Sequence, residues 1–213
     1  MESRVDENRE ILIFADLETA GLSLSRPILQ IAAVAVSSRL EELESIEFKI
    51  QFDEADAEPR ALLTNHYSPE RWRNEAIEPT YAATQFAGFL KRYATVDLFS
   101  SGGRRYQVAQ LVAHNGERFD GPFLQAWYRR LGLFCPARYM VLCTKQRALW
   151  LFEEDKTLTP PSDFKLGTLC QYFGVALPPA EAHDALNEVR ATVELYRAMR
   201  EHEQRRGSAL QAA

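Results

Sequence analysis

Cysteine, positive charge and long apolar runs are what this 213-residue chain has little of. Its three cysteines, Cys135, Cys143 and Cys170, are odd in number and have no metal-like spacing, so free buried thiols in a reducing, cytoplasmic setting are expected. No apolar stretch approaches the roughly 20 residues of a membrane span. Residues 1–10 are charged, unlike a signal peptide. The formal net charge of −5 leaves no global basic footprint for nucleic acid. A metal enzyme escapes that objection, because its cations and local arginines meet the phosphates. What is present is ordinary: 46% hydrophobic residues is enough for a sizeable core. The expectation is an N-terminal extension (1–10), one domain (11–204) and a frayed tail (205–213), without internal repeats.

The most informative stretch is Ile11 to Thr19, an apolar run that reads as a buried strand. It ends in two acids, Asp16 and Glu18, spaced i and i+2. Strand side chains alternate, so both project from one face. Close carboxylates resist burial unless one is protonated or a cation lies between them, which makes Asp16 the centre of an expected divalent-metal site.

Further along, Gly21 marks a reversal, and strands follow at 28–36 and about 44–52, where Ile46, Phe48, Ile50 and Phe52 alternate with polar residues. These strands predict an antiparallel meander with a half-exposed edge. Short helices are predicted at 60–63 and from Ser68-Pro69, then a longer one over 80–93 with Tyr81, Phe86, Phe89, Leu90 and Tyr93 on or near one face. Residues 94–108 read as a flexible hairpin or loop whose Arg104 and Arg105 are solvated charge or phosphate contacts. A fourth strand (109–113) leads through His114-Asn115-Gly116 to a helix from about 119 to 131, and a fifth is expected at 139–143. Helices follow at 144–152, 166–173 and about 184–204, with Pro160-Pro161 between the first two. Strand–helix alternation after a meander predicts a mixed α/β sheet with helices on both faces.

Taken singly, the remaining polar residues are weak signals. Asp120 before Gly121-Pro122 suits a helix N-cap as well as a functional acid, His183 suits a turn, and Asp184 suits the cap of the last helix. Glu188 neighbours the apolar positions Leu186 and Val189. As an ordered set, Asp-x-Glu at a strand end, Asp at a helix start and His-x-x-x-x-Glu are specific.

That set resembles the DEDDh-type 3′-to-5′ exonucleases, the family of the bacterial replicative proofreading subunit, the three-prime repair exonucleases, RNase T and oligoribonuclease. Phe14 to Leu22, Val112 to Asp120 and His183 to Glu188 carry the resemblance, supported by Lys165 to Cys170 and Phe173 to Val175. It implies a ribonuclease-H-like fold, with a mixed five-stranded sheet of three antiparallel and two parallel strands. It also implies two magnesium or manganese ions held by Asp16, Glu18, Asp120 and Glu188, with His183 as general base. The implied substrate is a single-stranded 3′ end, DNA rather than RNA, with Thr19, Leu22, Asn115 and Phe119 lining the terminal-nucleotide pocket. The implied product is a nucleoside 5′-monophosphate. A stand-alone enzyme, monomeric or homodimeric, is expected, because the tail is too short for a long partner-binding extension. One position departs from the family. Its fourth acid is normally aspartate, and Glu188 is one methylene longer, where a displacement of about 1 Å can cost ~100-fold in rate. The alternatives are an exoribonuclease of the same chemistry and a catalytically weak nucleic-acid-binding module.

Overall fold

Three strands rich in buried aliphatic residues open the fold. The computed structural model describes residues 11–177 and 184–211. β1 (Leu12–Thr19), β2 (Ile28–Val36) and β3 (Glu42–Lys49) form an antiparallel meander. β2 is buried along all nine residues, as a strand flanked on both sides and covered on both faces must be. β3 is the half-exposed edge. Next come α1 (Pro59–Thr64), α2 (Pro69–Glu75), α3 (Pro79–Arg92), β4 (Val96–Phe99), β5 (Arg105–Val108) and β6 (Gln110–Ala113). α4 (Asp120–Arg130), β7 (Leu142–Cys143), α5 (Thr144–Glu154), α6 (Leu166–Phe173) and α7 (Ala185–Gln211) complete the order.

The main sheet runs β3-β2-β1-β6-β7, with β6 parallel to β1 and β7 parallel to β6. This is the expected ribonuclease-H-like arrangement. Alternation along β1 sends Ile13, Ala15 and Leu17 to one face, where they pack with Phe86 and Phe89 of α3 and Phe123 and Trp127 of α4. Phe14 points to the other face and packs with Ala185, Val189 and Val193 of α7. Helices thus cover both faces, and burial of each such aromatic contributes roughly 2 kcal/mol.

Several expectations are corrected. Of the hairpin and loop readings for 94–108, the hairpin holds: β4 and β5 form an antiparallel two-stranded sheet over 96–108, clasped by the Arg105–Asp97 pair at 2.6 Å. The third strand ends at Lys49; beyond it Ile50 bridges Ile77, and Phe52 leaves the sheet to pack edge-on against Tyr67. The fifth strand is only Leu142–Cys143, because the Gln110 side chain binds the Met140 carbonyl at 2.9 Å where a ladder would continue. Tyr81 is 56% exposed, and Ala82 and Ala83 take the buried side of α3 instead. The last helix runs on through Gly207 to Gln211. Arg206 binds the Glu154 carbonyl at 2.7 Å and His202 binds Asp155 at 2.8 Å, so contacts with the end of α5 extend it. Cys135, Cys143 and Cys170 are free thiols. Among the described residues, no helix is long and apolar enough to cross a membrane.

The turn between β6 and α4 depends on a small residue. A Cβ on Gly116 would lie 2.5 Å from the Ala113 Cβ and 2.8 Å from a Val141 methyl. Gly116→Ala should therefore lower stability by about 1–3 kcal/mol, the usual cost of overpacking. Urea denaturation measures this, and an unchanged midpoint would show that the turn has room to yield.

Candidate functional site

β1 outruns its parallel neighbour. Its pairing with β6 stops at Phe14–Val112, whereas its pairing with β2 continues to Thr19, with a register shift between Glu18 and Thr19. The edge of β1 beyond Phe14 is therefore open on the β6 side, where the backbone amide of Leu17 meets the Asp120 carboxylate. Asp120 reaches that place through the turn after β6. Asn115 adopts a left-handed φ of 68°, and its carbonyl accepts from the N–H groups of Arg118 and Phe119, both at 3.1 Å. Phe119 is the residue that precedes the helix, and Asp120 is its first helical residue. The capping role considered for Asp120 is thus not the one it has. Its side chain is 3% exposed, and Oδ1 has no hydrogen-bond partner among the described residues. Among buried carboxylate oxygens such an orphan is costly and points to a missing partner.

Glu188 comes from the opposite face of the sheet. Asp184 caps α7 as expected, its Oδ1 accepting from the Asn187 N–H at 3.2 Å and its carbonyl from the Glu188 N–H at 3.0 Å. This places Glu188 in the first helical turn, beside the buried Val189 that anchors α7 to the sheet. His183 lies outside the described residues.

These four acids act on one another. Burial, followed by the charges of Asp120, Glu18 and Glu188, holds the Asp16 carboxyl well above the usual carboxylate range. Glu18 is pushed up to about 8 by burial first and then by Glu188, Asp120 and Asp184. Asp120 rises to about 7, mainly through burial, although two backbone amides partly offset it. Neither Asp16 nor Glu18 has a basic partner among the described residues. Also among the described residues, no three His, Cys, Asp or Glu side chains are arranged to hold an ion as they stand. The donor chemistry nevertheless fits a hard divalent cation: all ligands are carboxylate oxygens, one is orphaned, and added positive charge relieves a repulsion the fold imposes. Asp16, Glu18, Asp120 and Glu188 are the residues that could hold it.

Beside the acids opens a cleft of about 550 Å³. Glu18, Thr19, Leu22 and Phe119 line it, so three of the four residues expected to contact substrate meet there. Leu22 stands 82% exposed on its lip. Asn115 does not line it and instead shapes the turn that sets Phe119 and Asp120. The Thr19 hydroxyl is turned into the Gly21 carbonyl at 2.8 Å, which leaves Thr19 to act through its backbone. The other wall comes from α1 and the residue that ends it: Arg60, Ala61, Thr64 and Asn65. Sequence reasoning missed this wall. Asn65 Nδ2 binds the Thr19 carbonyl at 2.9 Å across 46 residues, a contact with no local signature in the chain.

His114 lies next to the motif but is not free for proton transfer. One ring nitrogen contacts the Thr144 hydroxyl at 2.9 Å and the other the Phe164 carbonyl at 3.0 Å. Burial lowers its pKa to about 4, so the neutral ring acts as a strut at neutral pH.

The carboxylate shifts have a definite sign. Folded Glu18 and Asp120 keep protons that the unfolded chain has lost above its ordinary values of 4.5 and 3.8. Their contribution is thus best below about pH 4 and is lost as pH rises through 7 to 8. In metal-free buffer, Asp120→Asn should be more stable than the unaltered chain at pH 8, by on the order of 2–3 kcal/mol, with the gain shrinking toward pH 5. Urea titrations at the two pH values measure it, and a gain independent of pH would remove the repulsion argument.

Comparison with family models and with curated proteins finds no match for the sequence. Solved structures do match the fold. An exonuclease I structure discussed in terms of processivity superposes with a TM-score of 0.71 at 18% identity, over 90% of this chain and 41% of that one. Escherichia coli exonuclease I in complex with a dT13 oligonucleotide gives 0.73 at 18% identity, over 94% and 43%. The zinc-bound exonuclease I–single-stranded DNA complex from the same organism gives 0.72 at 18%, over 96% and 43%. The chain spans less than half the length of these proteins. At this identity the likeness concerns architecture, and the architecture is the ribonuclease-H-like fold of exonuclease I.

Proposed function

We propose that the protein is a metal-dependent 3′-to-5′ exonuclease that releases nucleoside 5′-monophosphates from single-stranded 3′ ends, with DNA as the favoured substrate. The observation that carries this reading is the gathering of Asp16, Glu18, Asp120 and Glu188 from three separate elements beside a cleft of nucleotide size. The fold it shares with exonuclease I, which has been seen bound to dT13, supports single-stranded DNA as the substrate class. Three free cysteines accord with a cytoplasmic setting.

In this reading the four carboxylates hold two divalent ions, magnesium or manganese. Such a pair, when bound, stabilises both the attacking and the leaving oxygen of a phosphodiester. The chain supplies the rest. Leu22 and Phe119 grip the faces of the terminal base, a contact that tolerates any base. The backbone after Glu18, pinned by Asn65, meets the terminal 3′-hydroxyl. His183, one residue ahead of the α7 cap, takes the proton from the attacking water. His114 is excluded from that role by its two hydrogen bonds.

Matched 3′- and 5′-labelled DNA and RNA oligonucleotides, incubated with Mg²⁺, Mn²⁺ or EDTA, test the reading. Mononucleotide release from the 3′ end, blocked by EDTA and faster on DNA, is expected. Faster turnover of RNA would reassign the substrate to RNA, and binding without cleavage under every metal would leave a nucleic-acid-binding module. Within the site, Glu188→Asp should retain or raise activity and Glu188→Ala should abolish it. Unchanged turnover of Glu188→Ala would remove Glu188 from the ligand set.

A further inference from the structure

Of three arginines that lie on the cleft or bind the loop after β1 and the segment at 56–58, two are committed to holding the fold. Arg26 donates to the Asp56 carbonyl at 2.8 Å and pairs with Glu58 at 3.4 Å. Arg130 donates to the carbonyls of Leu24 and Arg26. Arg60 differs. It is exposed, lines the cleft, and has no hydrogen-bond or ion-pair partner among the described residues. Among the described residues it is also the one basic member of the cleft lining, whose other charged members are Glu18 and Glu58.

Its position relative to the acids is fixed by the backbone. The Glu58 N–H binds the Ala20 carbonyl at 2.8 Å, and Asn65 Nδ2 binds the Thr19 carbonyl at 2.9 Å. Both ends of the Glu58–Asn65 segment are therefore tied to the turn that follows Glu18. Gly21 completes the fit, since a Cβ there would lie 2.5 Å from the Glu58 carboxylate. The guanidinium is carried on the wall facing Leu22 and Phe119 without being spent on an internal carboxylate.

We propose that Arg60 is a substrate-binding cation that contacts a backbone phosphate of a single strand whose 3′ end lies in this cleft. The inference rests on the nuclease reading and deepens it. A polyanion entering a cleft with two acids needs positive charge on the protein side as well as at the carboxylates, and Arg60 is the residue placed to supply it. Guanidinium suits the task because its planar fork engages two phosphate oxygens at once. A phosphate contact positions the strand without reading its sequence.

The test uses the full chain with Arg60→Ala and Arg60→Lys. Anisotropy of 5′-labelled dT, dA and mixed oligonucleotides is followed in Mg²⁺ on an Asp120→Asn background across a range of NaCl. Arg60→Ala should bind roughly tenfold more weakly to every sequence. Its log–log salt dependence should be shallower by about 0.7, the value for one lost phosphate contact on a single strand. Arg60→Lys should recover the salt slope and part of the affinity. With Asp120 intact, Arg60→Ala should raise KM and leave kcat nearly unchanged. Unchanged affinity and slope overturn the proposal, as does a loss confined to one base, which would mark a base contact. Cleavage by the unaltered chain with no effect of Arg60→Ala overturns this inference alone. Arg60-dependent binding without any cleavage upholds it and overturns the nuclease reading. No binding by the unaltered chain overturns both.

Discussion

Repulsion among carboxylates that the fold forces together is the constraint on which the rest of this structure turns. Asp16 and Glu18 share a face of β1, Asp120 arrives from the start of α4, and Glu188 arrives from the first turn of α7. Buried acids are costly when unpaired, and here burial is the largest cause holding Asp16, Glu18 and Asp120 above their ordinary range. Among the described residues Asp16 and Glu18 have no basic partner, and the carboxylate set they form with Asp120 and Glu188 has the donor chemistry that a hard cation from solution would fit.

Holding the acids against one another requires that each parent element be anchored elsewhere. β1 is locked by antiparallel pairing along its whole length with β2. α4 is fixed by Phe123, Leu124 and Trp127 in the main core, and its entry turn by the close approach of Gly116 to Ala113 and Val141. α7 is anchored twice. Near its start, Ala185, Val189 and Val193 seat it on the sheet. Near its far end, Asp155 gathers Thr157, His202 and Arg206. Hydrogen bonds to Thr157 and His202 hold that carboxyl down at about 2, so the junction is anionic, whereas burial pushes Asp16, Glu18 and Asp120 the other way. Asp155 and those three acids thus sit at opposite ends of the carboxylate range because hydrogen-bond donors outweigh burial at Asp155, whereas burial outweighs the backbone amides that reach Asp120.

The cleft follows from the same anchoring. The turn after Glu18 is tied to the Glu58–Asn65 segment by two hydrogen bonds to consecutive carbonyls, Thr19 and Ala20. Floor and wall therefore keep their spacing to the acids. Apolar Leu22 and Phe119 and the charged Arg60 line the same cleft, a division of labour that, on the proposed reading, suits a strand of any sequence.

Much of this was legible in the chain because its signals are local. The apolar run ending in Asp16 and Glu18, the alternation in the meander, the proline-led helix starts and the cap at Asp184 are each written within a few residues, and the elements formed there, with the third strand shifted to end at Lys49. The acids of the candidate site were legible for the same reason, as short motifs at strand and helix ends. Other features needed the assembled molecule. The segment over 96–108 read as either a flexible hairpin or a loop because Ser100-Ser101-Gly102-Gly103 advertises flexibility, and the choice of the hairpin rests on a cross-strand pairing that is a property of two segments together. Asp120 read equally well as a helix cap, and only the open edge of β1 beyond Phe14 shows that its carboxylate is directed elsewhere. The wall formed by α1 could not be read at all, since Asn65 meets Thr19 across 46 residues. Local pattern determined which elements form and which carry acids; tertiary packing decided which acids share a charge environment, which arginine of the cleft region stays uncommitted and where the cleft opens, because those depend on distances between segments that no local pattern encodes.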